Sequence, residues 1–131
     1  MFLDANVFIH AYDSTEWENK DCKSQLKRII KGEMRAQTSV MVLNEVLHFF
    51  LTNRGKERAR IVFSNIRRIP NLAMLPVDEE VLGYVIRFID DGLGTTDAYH
   101  AATMVANGVD VICSYDGGFD KAKGIRRQVP K

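Results

Sequence analysis

A chain of 131 residues, 46% hydrophobic and 27% charged, has the size and composition of one folded domain over residues 1–131, not of a disordered tail. No apolar run approaches the roughly 20 residues of a membrane helix, and the opening MFLDANVFIHA carries Asp4 and no basic leader. Neither a membrane span nor a signal peptide is therefore expected, and the expected location is the cytoplasm. The net charge of +1 says little about partners by itself, and the two cysteines, Cys22 and Cys113, have no metal-ligand spacing.

Met1 to Leu3 reads as a strand that ends at Asp4-Ala5-Asn6, after which Val7, Phe8, Ala11 and Tyr12 recur at helical spacing. Glu16 to Gly32 reads as a second helix, with Trp17, Leu26, Ile29 and Ile30 towards the core and Lys20, Lys23, Lys27, Arg28 and Lys31 on the other face. Arg35 to Thr38 is a short strand, and Ser39 is placed to N-cap a helix over Val40 to Thr52. That helix is apolar almost all round, which predicts burial in the core or at an interface. Lys56 to Arg68 is a basic amphipathic helix, broken by Pro70-Asn71, and Leu72 to Leu75 is a third strand. Val77 to Asp90 is a fifth helix with Asp78, Glu79 and Glu80 in its first turn, where the dipole favours acids. Gly94-Thr95-Thr96 opens a helix that stops at Asn107-Gly108. Val109 to Cys113 is a buried β-branched strand with Cys113 as a small core residue, and Ser114 to Gly118 is a turn. Gly124 to Val129 is the last strand.

Strands alternating with helices at these lengths predict a parallel α/β sheet covered on both faces, with ligands outside the carboxyl ends of the strands where their order reverses. Asp4 ends the first strand and Asp116 lies just past the fourth, so both face one crevice if those strands are neighbours. Asp97, opening the helix before the fourth strand, can join them. Each of the three alone has an ordinary explanation, as a cap, a dipole partner or a turn residue. Glu45 is harder to explain away. It sits two turns into the apolar helix with only His48 near it on that helix, and a buried carboxylate needs compensation.

Four carboxylates together repel one another, and one or more takes up a proton unless a cation intervenes. Hard oxygen ligands suit Mg²⁺ or Mn²⁺, and metal-assisted phosphodiester hydrolysis is the chemistry such a centre performs, with one ion or with two roughly 4 Å apart. Without those four acids, 18 basic residues face 13 acidic ones, so a metal-neutralised centre leaves a mildly basic surface. Asn6 and Ser114 are candidates to hydrogen-bond the carboxylates and keep their oxygens aimed. Asp120 reads as a solvated or capping acid. His10, His48 and His100 lack mutual ligand spacing, and His100, three residues after Asp97, reads as a packing or surface residue more readily than as part of the crevice. Lys20, Lys23, Lys27, Lys31, Arg54, Lys56, Arg58 and Arg60 can hold nucleic-acid phosphates, although solvated helix faces are the commoner explanation.

MFLDANVFIHA, TSVMVLNEVL and GTTDAYHAATMVANGVDVICSYDGGF together resemble the PIN-domain nucleases, and particularly the VapC-type toxins of prokaryotic toxin–antitoxin pairs, over essentially the whole chain. The resemblance implies a three-layer α/β/α fold whose parallel sheet of about five strands runs in the order 3-2-1-4-5. It matches Asp4 with Asn6, Glu45, Asp97, and Asp116 flanked by Ser114 and Phe119, to the family's catalytic and metal-binding acids. It also implies Mg²⁺- or Mn²⁺-dependent cleavage of RNA, a homodimer, and a groove that receives an amphipathic antitoxin segment. Three other readings compete. A phosphotransfer enzyme using Asp4 as nucleophile would want D-x-D where this chain has Asp4-Ala5-Asn6, and it would want a lysine at the switch point. An inactive PIN-like binding module fits poorly with four acids retained. A housekeeping RNA-processing nuclease differs from a toxin only in its context.

Overall fold

The computed structural model describes residues 1–13 and 19–131. Glu16 and Trp17, assigned above to the second helix, lie outside that set. The elements run β1 (Phe2–Leu3), α1 (Ala5–Tyr12), α2 (Asn19–Ile30), β2 (Ala36–Ser39), α3 (Val40–Asn53), α4 (Lys56–Arg67), β3 (Leu72–Leu75), α5 (Glu79–Asp90), α6 (Thr95–Ala106), β4 (Val111–Cys113), a 3₁₀ turn (Gly117–Lys121) and β5 (Arg126–Gln128).

The five strands form one parallel sheet in the order β3-β2-β1-β4-β5. β1 is central and only two residues long. Phe2 pairs with Gln37 on one side and Ile112 on the other, and Leu3 pairs with Cys113. Neighbouring strand residues point to opposite faces. Phe2, Leu3, Ile112 and Cys113 are all fully buried, so helices cover both faces in the expected three-layer arrangement. On the helical side, α1 packs on α2 and α3, α3 packs on α4, and α5 packs along α6. Phe8, Phe50, Phe88, Phe119, Ile29, Ile66 and Met104 fill the space between. No helix among the described residues is long and apolar enough to cross a membrane.

Local chemistry accounts for the helix starts. Asp4 caps α1, Ser39 Oγ accepts the Val42 N–H at 3.2 Å to cap α3, and Asp78 accepts the Val81 N–H to cap α5. Asp78 is thus the cap itself, so α5 begins at Glu79, two residues later than its apolar pattern suggested. Gly108, at φ +68°, ends α6 in the left-handed conformation, and the Val109 N–H closes back onto the Met104 carbonyl at 2.9 Å. That capping bond holds Val109 in the turn and shortens β4 to three residues.

Two expectations about burial and one strand boundary need correction. α3 is not buried all round: Val42, Leu43, Val46 and Phe50 face the core, while Val40 and Leu51 are about half exposed at 50% and 48%. Ile30, assigned to the core, lies at the end of α2 and is exposed, and Val129, assigned to the last strand, follows β5 and is exposed too. The two most open large apolar side chains among the described residues, Leu82 and Ile86 at 52% and 67%, sit on α5, and Ile89 at 38% continues their row.

Candidate metal centre

Strand register builds the centre. Because Leu3 pairs with Cys113, the next residues of the two chains, Asp4 and Ser114, leave the sheet side by side, and the Asp4 N–H reaches the Cys113 carbonyl at 3.1 Å. β2 ends level with them, since Thr38 Oγ donates to the Leu3 carbonyl at 3.0 Å, so α3 starts at the same edge and carries Glu45 over it. α6 brings His100 to the same place. Its Nε2 lies 2.5 Å from Glu45 Oε1 and 3.8 Å from Asp4 Oδ1. One ligand-type atom from each of Asp4, Glu45 and His100 falls within 4.8 Å of the others.

Asp4 is 5% exposed and heavily hydrogen-bonded. Its Oδ1 accepts the Ala5 N–H at 2.7 Å, and its Oδ2 accepts the Ser114 hydroxyl at 2.6 Å and the Asn6 amide at 3.2 Å. The Ser114 hydroxyl oxygen in turn accepts the Asp116 N–H at 2.9 Å and the Asn6 amide at 3.1 Å. One buried hydroxyl therefore ties the first acid to the last. Asp116 caps the 3₁₀ turn by accepting the Gly118 N–H at 2.8 Å. A β-carbon at position 118 would sit 3.0 Å from Asp116 Oδ1, so that carboxyl would have to shift by a few tenths of an ångström, and 3.8 Å from Asp97 Oδ2, an ordinary contact distance.

Burial raises the Asp4 pKa, opposed by the Ser114 hydrogen bond, the His100 ring and the Ala5 N–H. Asp97 is more perturbed. Burial, the neighbouring Asp116 charge, a hydrogen bond to Asp116 and the Asp4 charge push it from 3.8 up to about 7, against a smaller opposing pull from His100. Among the described residues, no lysine or arginine lies within ion-pair distance of Asp4, Glu45, Asp97 or Asp116, and the His100 imidazole is the nitrogen group beside Asp4 and Glu45. A crowded, oxygen-rich set whose burial and mutual repulsion raise a carboxyl pKa fits a hard divalent ion.

The structure thus gathers Asp4, Glu45, Asp97, Asp116, Asn6 and Ser114 at one sheet edge. Two features escaped the sequence. His100, read as a packing or surface residue, is fully buried and partners Glu45 across 55 positions. Asp120, read as solvated or capping, makes a two-pronged pair with Arg127 at 2.9 and 3.0 Å, and the same guanidinium donates to the Ser114 carbonyl at 3.2 Å. Of the basic residues, Arg54 pairs with Asp13 at 2.8 Å, Arg58 bonds the Tyr12 carbonyl and Arg60 lies near Glu57. Lys20, Lys23 and Lys27 of α2, and Lys31 just beyond it, are exposed.

A nuclease-like edge of acids on a 3-2-1-4-5 sheet defines a class, and the PIN domain family model matches residues 1–125: the chain belongs to the PIN-domain family. Among individual proteins, it is similar to ribonuclease VapC13 of Mycobacterium tuberculosis and to a VapC ribonuclease of Mycobacterium bovis. Each is 24% identical over 131 residues, spanning 97% of this chain and 98% of the relative. The fold matches VapBC2 from Rickettsia felis, solved with a DNA fragment from its promoter (TM-score 0.77, 15% identity, 99% of this chain and 98% of that one). It also matches the sarcin-ricin loop cleaving toxin VapC20 of M. tuberculosis (TM-score 0.75, 16% identity, 93% and 94%) and FitAcB of Neisseria gonorrhoeae (TM-score 0.72, 16% identity, 96% and 94%).

Proposed function

We propose that this protein is a Mg²⁺- or Mn²⁺-dependent endoribonuclease and the toxin of a toxin–antitoxin pair, with Asp4, Glu45, Asp97 and Asp116 holding the metal. The observation that carries the reading is the convergence of these acids, none of them in a direct ion pair with lysine or arginine among the described residues, at the carboxyl edge of a PIN-family sheet. Relatives named as VapC ribonucleases support the choice of RNA as substrate.

When bound, the ion supplies an activated water and stabilises the leaving oxygen of the phosphodiester. The protein's own groups do the rest. Ser114 and Asn6 hold Asp4 by Oδ2, Gly118 leaves the Asp116 carboxyl its room, and Asp97, whose pKa is raised to about 7, would exchange its proton for the ion. The exposed α2 lysines lie available for RNA phosphates.

For the antitoxin, a groove of about 350 Å³ has Ala11, Tyr12, Leu26 and Ile30 along its apolar part and Lys23, Lys27 and Arg58 among its lining. That combination suits an acidic amphipathic segment. The apolar row Leu82, Ile86 and Ile89 on α5 is the surface we assign to a homodimer. The test of activity is cleavage of a labelled RNA by purified protein, with Mg²⁺ or Mn²⁺ and with EDTA, alongside Asp116→Asn. Cleavage that needs metal and is lost in the variant supports the proposal. Cleavage that survives both EDTA and the substitution refutes it.

A further inference from the structure

His100 is fully buried among the acids, and two roles are chemically open to it. Its Nε2 can be a metal ligand, or its Nε2–H can be a donor that fixes Glu45. The opposite ring nitrogen distinguishes them. Nδ1 is buried and has no hydrogen-bond partner among the described residues. A ligating Nε2 presents its lone pair and leaves the proton on Nδ1, where it would be a buried N–H with no acceptor, an arrangement folded proteins rarely tolerate. Metal-bound histidines almost always pass that second N–H to a carboxylate, carbonyl or water. Here the ring meets Phe2 instead, with centroids 5.9 Å apart.

With the proton on Nε2 the accounts close. Nε2–H donates to Glu45 Oε1 at 2.5 Å, Asp4 Oδ1 at 3.8 Å is beyond hydrogen-bond reach, and Nδ1 is left as a bare acceptor, the less costly orphan. Glu45 needs such a partner. It is 34% exposed on a long side chain, and nothing else among the described residues hydrogen-bonds its carboxylate. We infer that His100 is a positioning residue: through Nε2–H it holds Glu45 over the sheet edge, and the metal's protein ligands are carboxylates without a nitrogen. This rests on reading the four acids as a metal centre.

The experiment loads the wild-type protein, His100→Gln, His100→Leu and Asp97→Asn with Mn²⁺. It measures Mg²⁺ and Mn²⁺ affinities and records pulsed EPR for ¹⁴N coupling of a directly coordinated imidazole. Glutamine keeps an N–H donor at similar reach, whereas leucine fills much of the space with none. The expected results are no directly coordinated nitrogen in the wild type, and metal affinity retained to within a few-fold in His100→Gln. In His100→Leu, Mg²⁺ and Mn²⁺ affinities should fall together by about tenfold, the usual scale for losing a group that orients a ligand. A coordinated-imidazole signal would overturn the inference and leave the metal centre standing. So would a selective loss of Mn²⁺ in His100→Gln, or an undiminished affinity in a folded His100→Leu protein, which would mark the ring as packing alone. If the wild type and Asp97→Asn bind Mn²⁺ equally, the metal-centre reading itself fails. The EPR measurement on wild type needs no variant, so poor folding of His100→Leu does not block the test.

Discussion

Asp97→Asn is the substitution whose sign separates a metal centre from an ordinary surface cluster. In the metal-free protein the Asp97 pKa stands at about 7 against 3.8 for an unperturbed group. The folded-state value is raised, so the associated stability is fully present below pH 3.8 and is lost as pH rises through 7. Above that, the whole shift would correspond to roughly 4 kcal/mol of destabilisation at about 1.4 kcal/mol per pK unit. Asp97 is half-buried, and solvent screening reduces the figure to about 1–2 kcal/mol. Asparagine keeps the shape and removes the charge. In EDTA at pH 8 it should therefore raise the melting temperature by roughly 3–10 °C for a chain of this size, with little gain at pH 5. With metal at about 100 times its Kd, the wild type should gain about 2.7 kcal/mol and the variant much less, so the order of stabilities inverts. Differential scanning fluorimetry across pH 5–8 with Mg²⁺, Mn²⁺ or EDTA checks each arm. A variant that is less stable than wild type in EDTA at pH 8, or that gains as much from Mn²⁺, refutes the reasoning.

Ser114→Ala removes the hydroxyl shared by Asp4 and the Asp116 N–H, and it should cost about 1–3 kcal/mol in urea unfolding as well as most of the RNA cleavage. Gly118→Ala drives a methyl to 3.0 Å from Asp116 Oδ1, so cleavage should fall by about tenfold or more while far-UV circular dichroism is unchanged. Arg127→Lys cannot keep both prongs on Asp120 and the bond to the Ser114 carbonyl; Mg²⁺ affinity by calorimetry should weaken by about tenfold. Metal affinity in the wild type should rise from pH 6 to pH 8 as Asp97 ionises, and a flat profile would mean that its proton does not compete with the ion.

Much of the fold was legible because its punctuation is chemical. Ser39 caps α3 as its position before an apolar run suggested, Asn107-Gly108 stops α6, and Leu72–Leu75 forms β3 with the bounds its composition implied. Burial was less legible. Apolar residues all round α3 show which side chains can be buried, but its packing against α1, α4 and the sheet decides which side is covered, and Val40 and Leu51 stay in solvent. The acids stood out because a charge such as Glu45 is out of place on an apolar helix. Their partners did not. His100 meets Glu45 from 55 positions away, and Arg127 reaches Asp120 because β5 lies beside the 3₁₀ turn, relations that no local pattern encodes.

The two-residue central strand has a consequence for biosynthesis. Its neighbours are β2, reached early, and β4, which lies some 110 positions downstream of Asp4 in the pairing that brings Ser114 to it. During translation the Asp4 carboxylate is made some 110 residues before the hydroxyl that holds it, and the Asp116 carboxylate follows two residues after that hydroxyl. A polypeptide that stops short of Ser114 thus lacks both the hydroxyl that holds Asp4 and the carboxylate of Asp116, and the cluster of acids cannot close.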